Sequence, residues 1–230
     1  MAQRSRADLA TLRDVDIAHY AGRYVDGRQD SARYASFDYC FNYFQSFHDD
    51  GRATALTSSA HLQTSCLQLG SYLASWGMFR GKAALLQHSA KALRPAIEVI
   101  AAAPPNVWAA DVNDYSPEVR AVITNVSSQF RRALPGGSSQ TLVTKTMLGV
   151  FGCVPAFDRY FRNAFGATGL GPKSLAALEA YYNANPALID AQRVPTIDFA
   201  TGADTGRLYT RAKVIDMVFF SKGLAAPTAS

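Results

Sequence analysis

Asp158 is the residue whose context best suits it for chemistry. It follows "CVPAF" and opens "RYFRNAFG", so the spacing predicts a helix N-terminus there, where the macrodipole keeps a carboxylate ionised. A carboxylate so placed can stabilise positive charge on a sugar as an N-glycosidic bond breaks, while orienting a nucleophile. Arg131, Arg132, Lys145, Arg159 and Arg162 lie close in sequence and would supply phosphate contacts. Trp76, Phe157 and Tyr160 offer aromatic faces for a flipped base. The plain alternative is that Asp158 only N-caps its helix, a position where Asp is preferred. A second candidate pair is Arg13 and His19 in "RDVDIAH", which on a helix would stand about one and a half turns apart.

Other reactive types give less. His48 adjoins Asp49 and Asp50, but three adjacent residues at a helix end cannot all face one ion, so no metal site and no cofactor are expected. His61 and His88 read as structural or exposed. Cys40, Cys66 and Cys153 sit among apolar residues that raise a thiol's pKa, which disfavours a Cys–His nucleophile pair.

Positioning these residues falls to helices. Apolar residues recur at three- and four-residue steps with almost no strand-like alternation, so the class expected is all-α, a single compact multi-helix domain of eight or more helices over residues 1–230. Helices are expected over Ala7–Val25, Ala32–His48, Ser58–Trp76 and about Lys82–Ala102, the last bent by Pro95. "LASWGMFRG" makes a corner between Gly77 and Gly81, where Trp76 either packs under an arginine or faces a ligand. Ser116, Pro117 and Glu118 open a fifth helix that ends near Arg131 and Arg132. "SSQTLVTKTMLGVFG" reads as a sixth, Asp158 opens a seventh, Lys173–Asn183 and Pro186–Gln192 are shorter ones, "VPTIDFATGAD" is irregular, and Gly206–Lys222 is a final amphipathic helix. The expected core includes Phe37, Phe41, Phe44, Leu62, Leu69, Leu85, Ile97, Val122, Leu148, Ile215 and Phe219.

The stretch from Leu134 to Asp158, "LPGGSSQTLVTKTMLGVFGCVPAFD", resembles the helix-hairpin-helix DNA glycosylases. In them an "LPG" turn opens a hairpin, a helix follows, and a "P-x-x-D" junction presents the catalytic aspartate. The resemblance places Asp158 as the catalytic carboxylate and Gln140 where that family has its hairpin lysine. It implies a monofunctional enzyme that uses water. Ser138 and Leu142 stand where the signature has a second glycine and a small residue. "RDVDIAH" is similar to the Arg-polar-x4-His pattern of helical HEPN ribonucleases, usually completed across a dimer. "LASWGMFRG" and "TKTMLGVFGCVPAFD" also resemble a bacterial protein family without an assigned function.

The 230 residues are 48% hydrophobic, enough for one sizeable core. Twenty-three Lys and Arg against 18 Asp and Glu give a charge of +5, which favours anionic partners, with nucleic acid, and DNA over RNA, the expectation. Three widely spaced cysteines suit free thiols in a reducing cytosol, and no apolar run is long enough to span a membrane, so a cytoplasmic protein is expected. A non-catalytic helical interaction or regulatory protein is equally compatible with this composition.

Overall fold

A computed structural model of the protein describes Leu12 and residues 15–226. The described residues form an all-α architecture with one small hairpin. In chain order the helices are α1 (Ile17–Asp26), α2 (Ser36–Asp49), α3 (Leu62–Ser75), α4 (Arg94–Ala101), α5 (Pro105–Trp108), α6 (Pro117–Ala133), α7 (Gln140–Phe151), α8 (Arg159–Phe165), α9 (Pro172–Ala184), α10 (Pro186–Asp190) and α11 (Arg211–Ala225). β1 (Pro195–Ile197) pairs antiparallel with β2 (Asp204–Leu208).

Two helices organise the interior, and both are enclosed on every side. From Leu142 to Phe151 all of α7 is buried, as is α11 from Ala212 to Ser221. A helix without a solvent face must be covered by others. α7 packs on α2, α3 and α6, while α11 packs on α1 and α8. Ser139 caps α7 by accepting from the Leu142 N–H at 3.4 Å, and Thr210 caps α11 by accepting from the Lys213 N–H at 3.1 Å.

Residues 152–158 then run through the core without forming a helix. A buried irregular segment survives only if its amides and carbonyls find partners. Side chains supply them: Tyr115 donates to the Cys153 carbonyl at 2.5 Å and Thr210 to the Gly152 carbonyl at 2.7 Å. Asp216 accepts from the Ala156 N–H at 3.0 Å and Thr144 from the Phe157 N–H at 2.9 Å. The segment starts at Gly152, whose left-handed backbone (φ +66°) ends α7 where a Cβ would press on Thr210 and Phe41.

Several expectations are corrected. The helix expected from Lys82 to Ala102 is two short 3-10 turns followed by α4, and Pro95 sits in the first turn of that helix instead of bending it. "VPTIDFATGAD" holds β1 and the start of β2, and the last helix begins at Arg211, because residues 206–208 pair in β2. Val122 and Leu62 are half-buried; Ile123, Val126 and Phe130 turn the buried face of α6 inward. Of the first helix expected over Ala7–Val25, Leu12 and α1 are helical, but Val15 and Asp16 are not, and Asp16 starts α1 afresh as its N-cap. The three cysteines are free and buried. Among the described residues no helix is long and apolar enough to cross a membrane.

Candidate functional site

Burying a lysine ammonium costs several kcal/mol unless a counter-charge and hydrogen bonds are buried with it. Two lysines are buried here at the facing sides of α7 and α11. Lys145 on α7 reaches Asp158 Oδ2 at 3.2 Å, and Lys213 on α11 reaches Asp216 Oδ2 at 3.0 Å. Lys213 also donates to the Tyr24 hydroxyl at 2.9 Å. Each aspartate spends its other oxygen on backbone: Asp158 Oδ1 accepts from the Phe161 N–H and Asp216 Oδ1 from the Ala156 N–H, both at 3.0 Å. The carboxylates therefore tie the lysines to the segment of residues 152–158 and to the first turn of α8.

Both pairs face one cavity of about 10 Å³, room for a single water molecule. Its polar wall is Tyr72, Trp76, Lys145, Asp158, Lys213 and Asp216; Leu148, Ala156 and Phe220 close it. Trp76 is the lining residue that is half-buried, and the others are buried, so the route to solvent runs past the indole. Trp76 also begins the corner whose two glycines, Gly77 and Gly81, have left-handed backbone (φ +76° and +62°).

Hydrogen-bond bookkeeping gives the cavity its character. Every oxygen of Asp158 and Asp216 already accepts a bond. By contrast, the buried Trp76 Nε1 has no partner among the described residues. Lys145 spends one N–H of its three on a described side chain and Lys213 spends two.

Around this centre the lysines lie against aromatic faces, which favours their charged forms. The Lys213 ammonium is 4.2 Å from the Tyr24 ring centre and 4.6 Å from that of Phe37; Lys145 is 4.9 Å from that of Trp76. Burial nevertheless pulls the Lys213 pKa below that of an ordinary lysine; Asp216 opposes that shift, and the neighbouring Lys145 adds to it. Burial pushes the Tyr72 phenol up, and Cys40, Asp216 and Asp158 push the same way, so its hydroxyl keeps its proton. A second network stands behind Lys213, where Asp38 accepts from Arg28 at 3.1 Å, from the Ile197 N–H at 3.1 Å and from the Tyr209 hydroxyl at 2.8 Å. Burial raises the Asp38 pKa in spite of Arg28.

Of the residues singled out in the sequence, the fold brings Asp158, Lys145 and Trp76 to the cavity. Asp158 is also the N-cap of α8. Lys145 is enclosed in its ion pair and not on a surface where a nucleic acid backbone would pass. Gln140 points elsewhere, donating to the Leu170 carbonyl at 3.2 Å. Phe157 is fully buried against Phe161 and presents no face for a base. Tyr160 packs on Phe220 with ring centres 5.5 Å apart. Arg131, Arg132 and Arg159 are exposed, and Arg162 folds back to the Asp158 and Thr168 carbonyls. His19 is exposed on α1, and Arg13 lies outside the described residues. His48 stacks on Trp108, and among the described residues no three His, Cys, Asp or Glu gather as metal ligands would.

Sequence reasoning missed Lys213, Asp216, Tyr72, Tyr24 and Phe220. A signal was present in "AKVIDMVFF", where Lys213 and Asp216 stand three residues apart in an otherwise apolar stretch. Such a pair on one face must be either solvated or mutually neutralised inside. No family model, no curated protein and no solved structure matches this chain, so the reading of the site rests on this geometry.

Proposed function

We propose that the protein is an enzyme acting on a small molecule by proton transfer, with the Lys145–Asp158 and Lys213–Asp216 pairs as its acid–base centre. The observation that carries this reading is that two buried Lys–Asp pairs face one water-sized cavity. Stability alone gives no reason for them, since replacing a buried pair by apolar side chains is often neutral or stabilising by about 1–4 kcal/mol. Perturbed titratable groups converging on a cavity are instead what proton transfer needs. In this reading Lys213 exchanges the proton, because burial already disfavours its ammonium. Lys145 and the Trp76 N–H hold a substrate oxygen, and Asp158, fixed by the Phe161 amide, positions Lys145.

The test is proton exchange. The protein is incubated in D₂O with a panel of small aldehydes, ketones and carboxylic acids, and deuterium uptake is followed by proton NMR. Uptake is expected for the wild type and lost in Lys213→Met and Asp158→Asn, with circular dichroism unchanged. If the wild type and Lys213→Met behave alike on every compound, the reading fails.

A base-excision reading draws on a separate observation. α6, the turn of residues 134–139 and α7 form a helix–turn–helix that leads to Asp158 at the start of α8, the order implied by the glycosylase resemblance. On this reading Asp158 leaves Lys145 to act at the sugar, because a cavity with room for one water does not hold a base. Arg131, Arg132 and Arg159 would contact phosphates. With Gln140 in place of a lysine, the products would be a free base and an uncut abasic strand. Base release from damaged duplex DNA, abolished by Asp158→Asn with salt-dependent DNA binding retained, is the result expected of it.

A further inference from the structure

We propose that the ligand of this cavity is a small organic anion, bearing a carboxylate or phosphate, whose charged oxygen is held by Lys145, Lys213 and the Trp76 Nε1–H and admitted past Arg33 and Arg159. The inference rests on the active-site reading above and deepens it by naming the substrate class. Inside the cavity the Trp76 N–H and three lysine N–H bonds have no partner among the described residues, while each carboxylate oxygen already accepts one bond. An oxygen with several lone pairs and negative charge satisfies such a set better than a neutral group does. Repulsion from Asp158 and Asp216 is blunted, because each accepts from a backbone amide as well as from a lysine, and Asp158 caps α8.

The rim carries the same sign. Arg33 is exposed and its guanidinium lies 5.3 Å from the ring centre of Trp76, the lining residue at the mouth. Arg159 is exposed 4.6 Å from the ring centre of Tyr160, which packs on the lining Phe220. Neither arginine pairs with a carboxylate among the described residues. A guanidinium stacked on an aromatic face keeps N–H groups for a carboxylate or phosphate; Arg159 spends one on the Tyr160 hydroxyl at 2.7 Å and keeps the rest. Two such groups beside a narrow mouth raise the local concentration of anions.

The experiment titrates the wild-type protein with sodium acetate, inorganic phosphate and acetamide at fixed ionic strength, reading tryptophan emission and Tm. Acetate or phosphate is expected to shift both saturably, and the anion that binds about tenfold more tightly identifies the headgroup. Acetamide is expected to shift neither. Trp76→Phe should remove the emission change, because Trp76 lines the cavity and Trp108, stacked on His48, does not. Arg33→Ala, a surface change that leaves the core intact, should weaken binding about twofold to fivefold, the scale of one exposed ion pair. An equal response to acetate and acetamide overturns the anion inference and leaves the active-site reading intact. No response to any of the three also overturns it, and the deuterium-uptake assay then decides the active-site reading separately.

Discussion

Replacing Lys145 by Met tests whether the Lys145–Asp158 pair is a coupled unit. The substitution fills similar volume but leaves the Asp158 carboxylate with only the Phe161 N–H at 3.0 Å, in a side chain that is 12% exposed. Stranding one member of a buried pair costs about 3–5 kcal/mol, and the retained amide bond and partial exposure place this case near 3. Asp158→Asn strands the other member: the amide still caps α8, and Lys145 keeps its contact with the Trp76 face, so a similar cost of about 3 kcal/mol is expected. The double variant Lys145→Met with Asp158→Asn leaves no orphan charge. Its cost should therefore fall below that of either single change, where simple addition gives about 6 kcal/mol. Urea denaturation of the four proteins, followed by circular dichroism at constant pH, measures this. A double variant near 6 kcal/mol, or either single change within about 0.5 kcal/mol of wild type, would refute the reasoning.

Two further outcomes follow from burial. Tyr24, Tyr72, Tyr115 and Tyr209 all have phenols raised well above the ordinary value of 10.0, burial being the largest cause in each. Their protons are held in the folded state and released from the unfolded chain, so their stabilisation is fully present below pH 10 and is lost as the pH rises beyond it. Absorbance of phenolate should accordingly appear together with unfolding, and full titration of these four in a folded protein would contradict the structure. Gly149→Ala places a methyl against the Tyr72 ring behind the cavity, and overpacking of that kind costs about 1–3 kcal/mol. A variant as stable as the wild type in urea would show that the ring is free to move aside.

The helical architecture was legible because it follows from periodicity and local signals. Ser116 before Pro117 and Asp158 before Arg159 are caps with a physical reason, and both open helices. What periodicity could not supply was the orientation of helices that have no outside. On α11 an amphipathic pattern assigns Ala212, Ile215 and Phe219 inward, which leaves Lys213 and Asp216 outward by default; in the fold both are buried. The same holds for Lys145, whose charge reads as a surface phosphate contact until α2, α3 and α6 are seen to cover α7. Strands β1 and β2 were missed because Pro195 and Gly206 are poor strand residues, and their pairing is supported from outside by Asn42 donating to the Ile197 carbonyl and Asp38 accepting from its N–H.

Asp158 shows why its two readings, cap and functional carboxylate, are not exclusive. As a cap alone it would need one oxygen, that accepting from Phe161, and its exposure would be immaterial. Its second oxygen holds a lysine inside the core, and the backbone leading to it is held by Tyr115, Thr144, Thr210 and Asp216. The cost of burying residues 152–158 without helical hydrogen bonds is thus offset by polar side chains drawn from elsewhere in the fold. One of those side chains, Asp216, is itself a wall of the cavity and the partner of Lys213. Disturbing the segment must therefore move both ion pairs together, so the position of Lys145 relative to Lys213 is set by backbone and not by surface residues that solvent could relax.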